Sequence, residues 1–390
     1  MADLHKNSPV FLATMVAKQI EFMQRRQPGE LLIRVINPDK QKDGWECGHT
    51  VLEMVNDDMP FLVDTASMVV RELNLGVHLI VHPVFNVERD KDGLLKKLHP
   101  RAARQSTKES FIHIQIDKRT DPAVLASVES CLKSRMAKIR ASVADWQPMK
   151  ARLEEAIAEF GKNAPDLSKA VRKECIAFLK WVGEDHFMFI GARNYDIVND
   201  GKTESLNVVD GTGLGLLREH GKTILSRPMA SISGEARFSR NAPLIITKTN
   251  TRSPMHRSGY MDYIGVLRFN ENGDVIGEYR FIGLFTSLAY LQRVADTPLV
   301  SMKIKTVLEN SGLKENRHAW KSLLHILETL PRDDVLQATS TELLSIATGV
   351  LDLQERQAVR LFIRRERFGR FFSCLVYIPR DHWNTENREK

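Results

Sequence analysis

HTVLEMVNDDMPFLVDTASMVVRELNLGVHLIVHPVFNVERD, residues 49–90, is the stretch on which the fold turns. It opens with apolar Val51, Leu52, Met54 and Val55 around Glu53, the pattern of a strand, and breaks at Asn56-Asp57-Asp58-Met59-Pro60. Phe61, Leu62, Ala66, Val69, Val70 and Leu73 then recur at three- and four-residue steps, which predicts a helix, and Asn74 and Gly76 supply its stop. Residues 77–87 read as one strand, with Leu79, Val81, Pro83 and Phe85 on one face and His78, Ile80, His82 and Val84 on the other. ESFIHIQID (109–117) is a further alternating strand, followed by a helical run over 122–143. The order β-α-β-β-α belongs to the ferredoxin-like, split βαβ sandwiches. The fold class is therefore α+β. Units of this kind bind small effectors more often than they perform chemistry.

Outward from this unit, residues 9–27 predict an amphipathic helix with Phe11, Leu12, Met15, Val16, Ile20 and Phe22 as its apolar stripe, closed by Pro28-Gly29. LLIRVI (31–36) is a short strand, and residues 91–108 read as an exposed basic loop. Two helices, 146–160 and 168–183, form a spacer separated by Asn163-Ala164-Pro165-Asp166. Beyond it lies a second α/β unit with strands near 186–198, 207–219, 244–249, 260–269 and 277–285, the last two joined through an Asn-Gly turn. Residues 298–353 turn helical in three segments, with Ser340 and Thr341 as candidate caps. Residues 358–378 predict a hairpin folding back at Phe368-Gly369-Arg370, and the final TENREK reads as the first turn of a helix. The domain plan is thus an N-terminal helix (1–28), a first sandwich domain (29–144), a helical spacer (145–183), a second α/β unit (184–297), a helical segment (298–356) and the truncated start of another sandwich (357–390). The sequence reads as part of a longer polypeptide.

Composition narrows the function. With 43% hydrophobic and 27% charged residues in 390, the chain falls in the soluble globular class. The longest apolar run, 282–291, is about half what a membrane span requires. No secretion signal opens the chain, and four widely spaced cysteines point to reduced thiols in the cytoplasm. The formal charge of +7 is spread over several basic clusters (Lys96-Lys97, Arg101–Arg104, Arg237–Arg240, Arg364–Arg370), which argues against nucleic acid as the partner.

The motifs are few. Asp210-Gly211-Thr212-Gly213-Leu214-Gly215 spaces its glycines at one, three and five, without the long helix of a dinucleotide fingerprint, and reads as a turn. Cys47, His49, His78 and His82 lack a recognised zinc spacing, so no metal is expected. No nucleophile elbow or other catalytic context is present, so no catalytic residue is assigned. The turn at Asn56, Asp57 and Asp58 leads from a strand into a helix. Either Asp57 or Asp58 caps that helix, or the carboxylates grip the ammonium of an amino acid while the helix amides take its carboxylate. Arg252-Ser253-Pro254-Met255-His256-Arg257 is a basic loop free of acids. Arg252, His256 and Arg257 are candidates for an anion or interdomain contact, with a plain surface loop as the alternative.

Several stretches resemble the large NAD-specific glutamate dehydrogenases of bacteria: NDDMPFLVD (56–64), VADWQPMK (143–150), FLKWVGEDHFMFIGARNYDI (178–197), RSPMHRSGYMDYIGV (252–266), EYRFIGLFTSLAY (278–290), LPRDDVLQ (330–337) and RFGRFFSCLVYIPRDHWNTENREK (367–390). The resemblance implies an N-terminal array of ACT-like domains with helical spacers, ahead of a distal dehydrogenase domain that carries the catalytic lysine and the NAD site. It implies an enzyme converting L-glutamate, water and NAD to 2-oxoglutarate, ammonia and NADH as a homo-oligomer. This segment by itself would be regulatory, inactive and without a bound cofactor, and its partners would be the downstream catalytic domain, other copies of itself and an amino-acid effector near Asn56, Asp57 and Asp58. A pure oligomerisation scaffold and a basic nucleic-acid-binding module are the competing readings.

Overall fold

The computed structural model describes residues 8–100, 106–163, 167–199, 204–218, 242–353, 356 and 358–382. Two compact units emerge, one of Met1–Val143 with Ser253–Gly259 and one of Ala144–Arg252 with Tyr260–Lys390.

In the first unit the elements run α1 (Pro9–Phe22), β1 (Leu32–Ile36), α2 (Lys40–Asp43), β2 (Thr50–Asp57), α3 (Leu62–Glu72), β3 (Val77–Val81), β4 (Val84–Arg89), β5 (Leu95–His99), β6 (Thr107–Ile116) and α4 (Pro122–Ala144). The sheet order is β1-β2-β6-β4-β5, with β3 also on β6, and every pairing is antiparallel. The anticipated β-α-β-β-α succession is present, with three departures. The 77–87 strand is broken at His82-Pro83, because proline has no N–H to give to a ladder; β3 and β4 lie end to end along β6. The basic stretch after Lys91 contains β5, whose Leu95 and Leu98 pair with Arg89 and Val87; its lysines hid an edge strand, where charge is the usual protection. The first helix stops at Phe22 rather than Gln27, and the chain from Met23 runs inward.

β2 is buried from Thr50 through Asn56, on both faces. On one face Val55, Val87 and Phe111 close over Met23, with Phe22, Leu32, Phe85 and Leu95 around them. Glu53 on that face accepts from Arg34 Nε at 2.6 Å and from Gln19 Nε2 of α1 at 3.1 Å, and lies 3.0 Å from His113 Nδ1. On the other face Asn56 accepts from Arg140 of α4, and α4 reaches α3 through Arg135 and Glu72 at 2.8 Å. α3 buries Leu62, Ala66, Val69 and Val70, each contributing about 1.5–3 kcal/mol for the larger side chains.

The second unit begins with α5 (Trp146–Asn163) and α6 (Lys169–Trp181), the latter capped by Ser168 and run out through a π turn at Val182–His186. Its strands are β7 (Phe187–Asn199), β8 (Glu204–Val208), β9 (Leu214–Gly215), β10 (Leu244–Arg252), β11 (Tyr260–Phe269) and β12 (Val275–Phe285). The sheet is antiparallel in the order β10-β11-β12-β7-β8, with β9 on β7. α5 packs on the face bearing Phe269 and Tyr279; Phe160 meets Phe269, and the Tyr279 hydroxyl donates to Glu159 at 2.6 Å. Gly277 and Gly283 are required in β12, since a Cβ there would sit 2.2 Å from the Tyr195 carbonyl and 2.0 Å from that of Met188.

After α7 (Ser287–Leu291) come α8 (Val300–Asn310), α9 (His318–Thr329), α10 (Arg332–Gln337) and α11 (Ser340–Leu351), then the hairpin β13 (Arg360–Arg365) and β14 (Phe372–Tyr377). α11 is capped one residue earlier than anticipated, by Thr339 in a reciprocal capping box with Glu342. Half-buried Lys303 of α8 donates to the carbonyls of Leu336 and Ala338 at the end of α10, at 2.7 and 2.9 Å, and desolvation of its ammonium pulls it down to about 8. The final TENREK and Arg237–Arg240 lie outside the described residues.

Candidate functional site

The strand-to-helix turn of the first unit is where local strain and uncapped amides coincide. α3 begins at Leu62, and its N-cap is Phe61 in the left-handed region (φ 73°), which makes no side-chain cap. A bulky aromatic there is costly, and such strain collects at binding turns. Neither Asp57 nor Asp58 caps the helix, which corrects the simpler sequence reading. Asp57 closes β2 and is held from the other side: Arg26 Nη2 donates to it at 2.6 Å and the Gly29 amide at 3.0 Å, with Arg140 at 3.5 Å. Asn56 is buried and held by Arg140. Asp58 is exposed, and its backbone amide donates to the Lys108 carbonyl at 3.1 Å.

Beneath Asp57 lies a buried ionic network that sequence reading missed. Arg26, 1% exposed, also pairs with Glu109 at 3.0 Å, and its Nε donates to the Glu30 carbonyl at 2.8 Å. Glu109 in turn receives Arg89 through two donors at 2.7 and 2.8 Å, and Arg89 reaches the carbonyls of Met23 and Gly93 at 2.9 Å. The network ties the 23–30 segment to β2, β4 and β6 and fixes where the turn begins. Arg26-Gln27-Pro28-Gly29 read only as a helix stop; what distinguishes Arg26 is burial, which one-dimensional periodicity does not register.

Ser253–Gly259 belongs to this same unit. The segment is knotted on itself by the Ser253 amide to the Gly259 carbonyl (2.7 Å) and the Ser253 hydroxyl to the Met255 carbonyl (2.7 Å), with Ser253 and Met255 buried. His256, itself at φ 65°, donates its backbone N–H to the Thr65 hydroxyl at 3.1 Å, sets Nδ1 2.9 Å from Asp64, and lays its ring 5.2 Å from that of Phe61. Two strained residues, Phe61 and His256, thus brace each other at the start of α3. Of the basic-loop candidates, His256 is the one brought to this turn. Arg257 follows on the same exposed segment, and Arg252 lies in β10 with its guanidinium 5.3 Å over the Tyr260 ring.

The remaining motifs are placed as follows. His49 and His78 stack at 4.1 Å, His78 Nε2 lies 2.8 Å from Asp117, and Cys47 donates its thiol to the His49 carbonyl. His82 lies on Ser110. Among the described residues no three His, Cys, Asp or Glu side chains form a metal-binding group. The 210–215 glycines form a tight turn in which a Cβ on Gly213 would meet the Leu217 carbonyl at 2.2 Å. All four cysteines are free thiols, and burial pushes that of Cys175 up to about 12. Among the described residues no helix is long and apolar enough to cross a membrane.

Comparison with known proteins places this geometry. Residues 1–132 match the family model for the ACT1 domain of glutamate dehydrogenase, residues 297–356 its helical motif 1, and residues 360–390 its ACT2 domain. The chain is an ACT-domain region of the NAD-specific glutamate dehydrogenase family. It is 35% identical over 94% of its length to an NAD-specific glutamate dehydrogenase of Halomonas elongata, and 33% identical over 95% to one of Pseudomonas aeruginosa. A third such enzyme, from Mycobacterium tuberculosis, is 28% identical over 86%. The chain spans 23% of the length of the first two relatives. The turn at Asn56–Phe61 and its buried support therefore fall within the ACT1 match, while the β7–β12 sheet falls between the matched segments.

Proposed function

We propose that the chain is the N-terminal regulatory and assembly region of a cytoplasmic NAD-dependent glutamate dehydrogenase. The complete enzyme converts L-glutamate, water and NAD to 2-oxoglutarate, ammonia and NADH; this region is not catalytic and binds no NAD itself. Its partners are its own downstream catalytic domain, further copies of the chain and an amino-acid effector. Residues 29–144 are the first ACT-like domain and 357–390 the start of the second, with 145–183 and 298–356 as helical spacers around the 184–297 unit.

The observation that carries the reading is the Asn56–Phe61 turn: an α3 N-terminus without a side-chain cap, beside exposed Asp58. An effector's carboxylate takes the α3 amides and its ammonium takes Asp58. Asn56 and Asp57 set the turn through Arg140 and Arg26, and the cationic segment bearing His256 and Arg257 braces it. Assembly is supported by β3, whose Val77, Ile80 and Val81 are exposed on a strand paired to β6; open edges of this kind favour pairing between chains.

Two measurements test the proposal. Glutamate and NAD added to the purified chain yield no NADH; measurable turnover overturns the non-catalytic assignment. A panel of L-amino acids titrated calorimetrically identifies the effector, and Asp58→Asn weakens it; a panel with no binder leaves assembly as the region's only role.

A further inference from the structure

The second sheet carries a buried polar group on the face turned away from α5, and its hydrogen bonding does not close. Arg280 of β12 and Arg193 of β7 are directly opposite in the register, and both are 4% exposed. Like charges facing each other across a ladder repel, and removal from water strengthens the repulsion. The nearest acid is Glu278, fully buried, which accepts from Arg280 Nε at 2.9 Å and from the Tyr263 hydroxyl. Arg280 lies 3.7 Å over the ring of Tyr195, and Arg193 donates through Nη2 to the Leu217 carbonyl.

Among the described residues, three buried atoms then have no partner: Arg280 Nη2, Arg193 Nε and Glu278 Oε2. Leaving such a group unsatisfied is costly, and more so when it is charged, so a native protein retains it for a reason. On the same face, at the position opposite Arg280 on β11, stands Gly265, which contributes no side chain of its own between Tyr263 and Glu278. A Cβ there would press on Glu278 at 3.2 Å and on the Tyr263 ring at 3.1 Å. Arg367 also lies within electrostatic reach of Tyr263 and Glu278; the unused donors on Arg280 and Arg193 and the unused acceptor on Glu278 are what make a complement to a specific kind of molecule.

We propose that Arg193, Arg280 and Glu278 form a buried site for a small carboxylate that also carries a hydrogen-bond donor. The carboxylate accepts from Arg280 Nη2 and Arg193 Nε, which removes the repulsion between them. The ligand's hydroxyl or ammonium donates to Glu278 Oε2. Tyr195 stacks on Arg280 and holds its plane, and the Tyr263 hydroxyl fixes the Glu278 rotamer so that Oε2 remains for the ligand. The site lies wholly in the second unit and is independent of the turn at Asn56–Phe61.

Succinate, L-malate and L-aspartate, titrated into the dialysed 390-residue chain by calorimetry with melting temperature in parallel, test this. L-malate and L-aspartate bind and raise the melting temperature, and succinate, which offers Glu278 no donor, binds about tenfold or more weakly, the equivalent of one unsatisfied buried group. Arg280→Met and Arg193→Met each weaken L-malate by at least that factor. Glu278→Gln, which is isosteric and serves if an arginine variant fails to fold, erases the preference for L-malate over succinate. Asp58→Asn leaves all of these titrations unchanged, which separates this site from the first-unit turn. Absence of binding by all three probes overturns the proposal. So does binding that is indifferent to Glu278→Gln and to the arginine variants, or a crystal structure grown with L-malate in which water alone meets the three atoms.

Discussion

Arg26→Met removes the guanidinium at the centre of the first unit's ionic network while keeping most of the side chain's length. Arg26 is 1% exposed and engages Asp57 at 2.6 Å, Glu109 at 3.0 Å and the Glu30 carbonyl at 2.8 Å. Breaking a buried pair by deleting one partner ordinarily costs about 3–5 kcal/mol, because the surviving charge is left without compensation. Here Glu109 retains both donors of Arg89, and Asp57, with its side chain 39% exposed, retains Arg140 and the Gly29 amide. The loss therefore falls at the lower end, about 3 kcal/mol. Hydrogen exchange of peptides covering β2 and β6 reads the opening free energy of this unit separately from the second. A drop of that size confined to the first unit is expected, and Arg26→Met combined with Arg89→Met should exceed the sum of the two single losses, since Glu109 is then stranded. A drop below about 1 kcal/mol, the range of exposed pairs, would refute the argument that this network holds the turn in place.

Two further outcomes follow from the same reasoning. In Glu53, burial pushes the carboxyl upward, but the His113 hydrogen bond and the Arg34 charge outweigh it and hold the group below its ordinary 4.5. A depressed carboxylate contributes stability that is present above 4.5 and lost as pH falls through the folded value. Acid unfolding of the first unit should thus steepen below pH 4.5 by up to about 1.4 kcal/mol per pH unit, and Glu53→Gln should flatten that limb; an unchanged acid limb contradicts it. In the second unit, Gly283→Ala drives a methyl to 2.0 Å from the Met188 carbonyl and 2.6 Å from the Phe187 ring, so the β7–β12 sheet should lose its cooperative thermal transition while β2 and β6 keep their exchange protection. A normal melt for this variant would show that the two strands separate without cost.

Much of the fold was legible because periodicity and turn chemistry agree locally. The 62–72 helix, the 260–269 and 275–285 hairpin with its Asn-Gly turn, and the 360–377 hairpin stand where alternation and punctuation put them. The misses have physical causes. β5 is short, lysine-rich and at an edge, so it carries no apolar signal. The 77–87 break required weighing one proline against an otherwise uninterrupted strand pattern. The turn was legible in the sequence but its supports were not: Asn56, Asp57 and Asp58 mark it, yet Asp57 reaches Arg26, and the helix start is made by Phe61 and braced from nearly two hundred residues away by His256. Long-range partners leave no trace in local spacing. The same holds for Arg193 and Arg280, which sequence presents as ordinary strand arginines and only the strand register brings face to face.

The most direct test of the account is calorimetric titration of the L-amino acids into the intact chain and into Asp58→Asn and Phe61→Gly. The account predicts at least one amino acid that binds the intact chain, loses affinity about tenfold or more when the Asp58 charge is removed, and keeps or gains affinity when glycine relieves the left-handed strain at position 61. Amino-acid binding that ignores Asp58→Asn, with the Arg280 and Glu278 variants equally without effect, would contradict it.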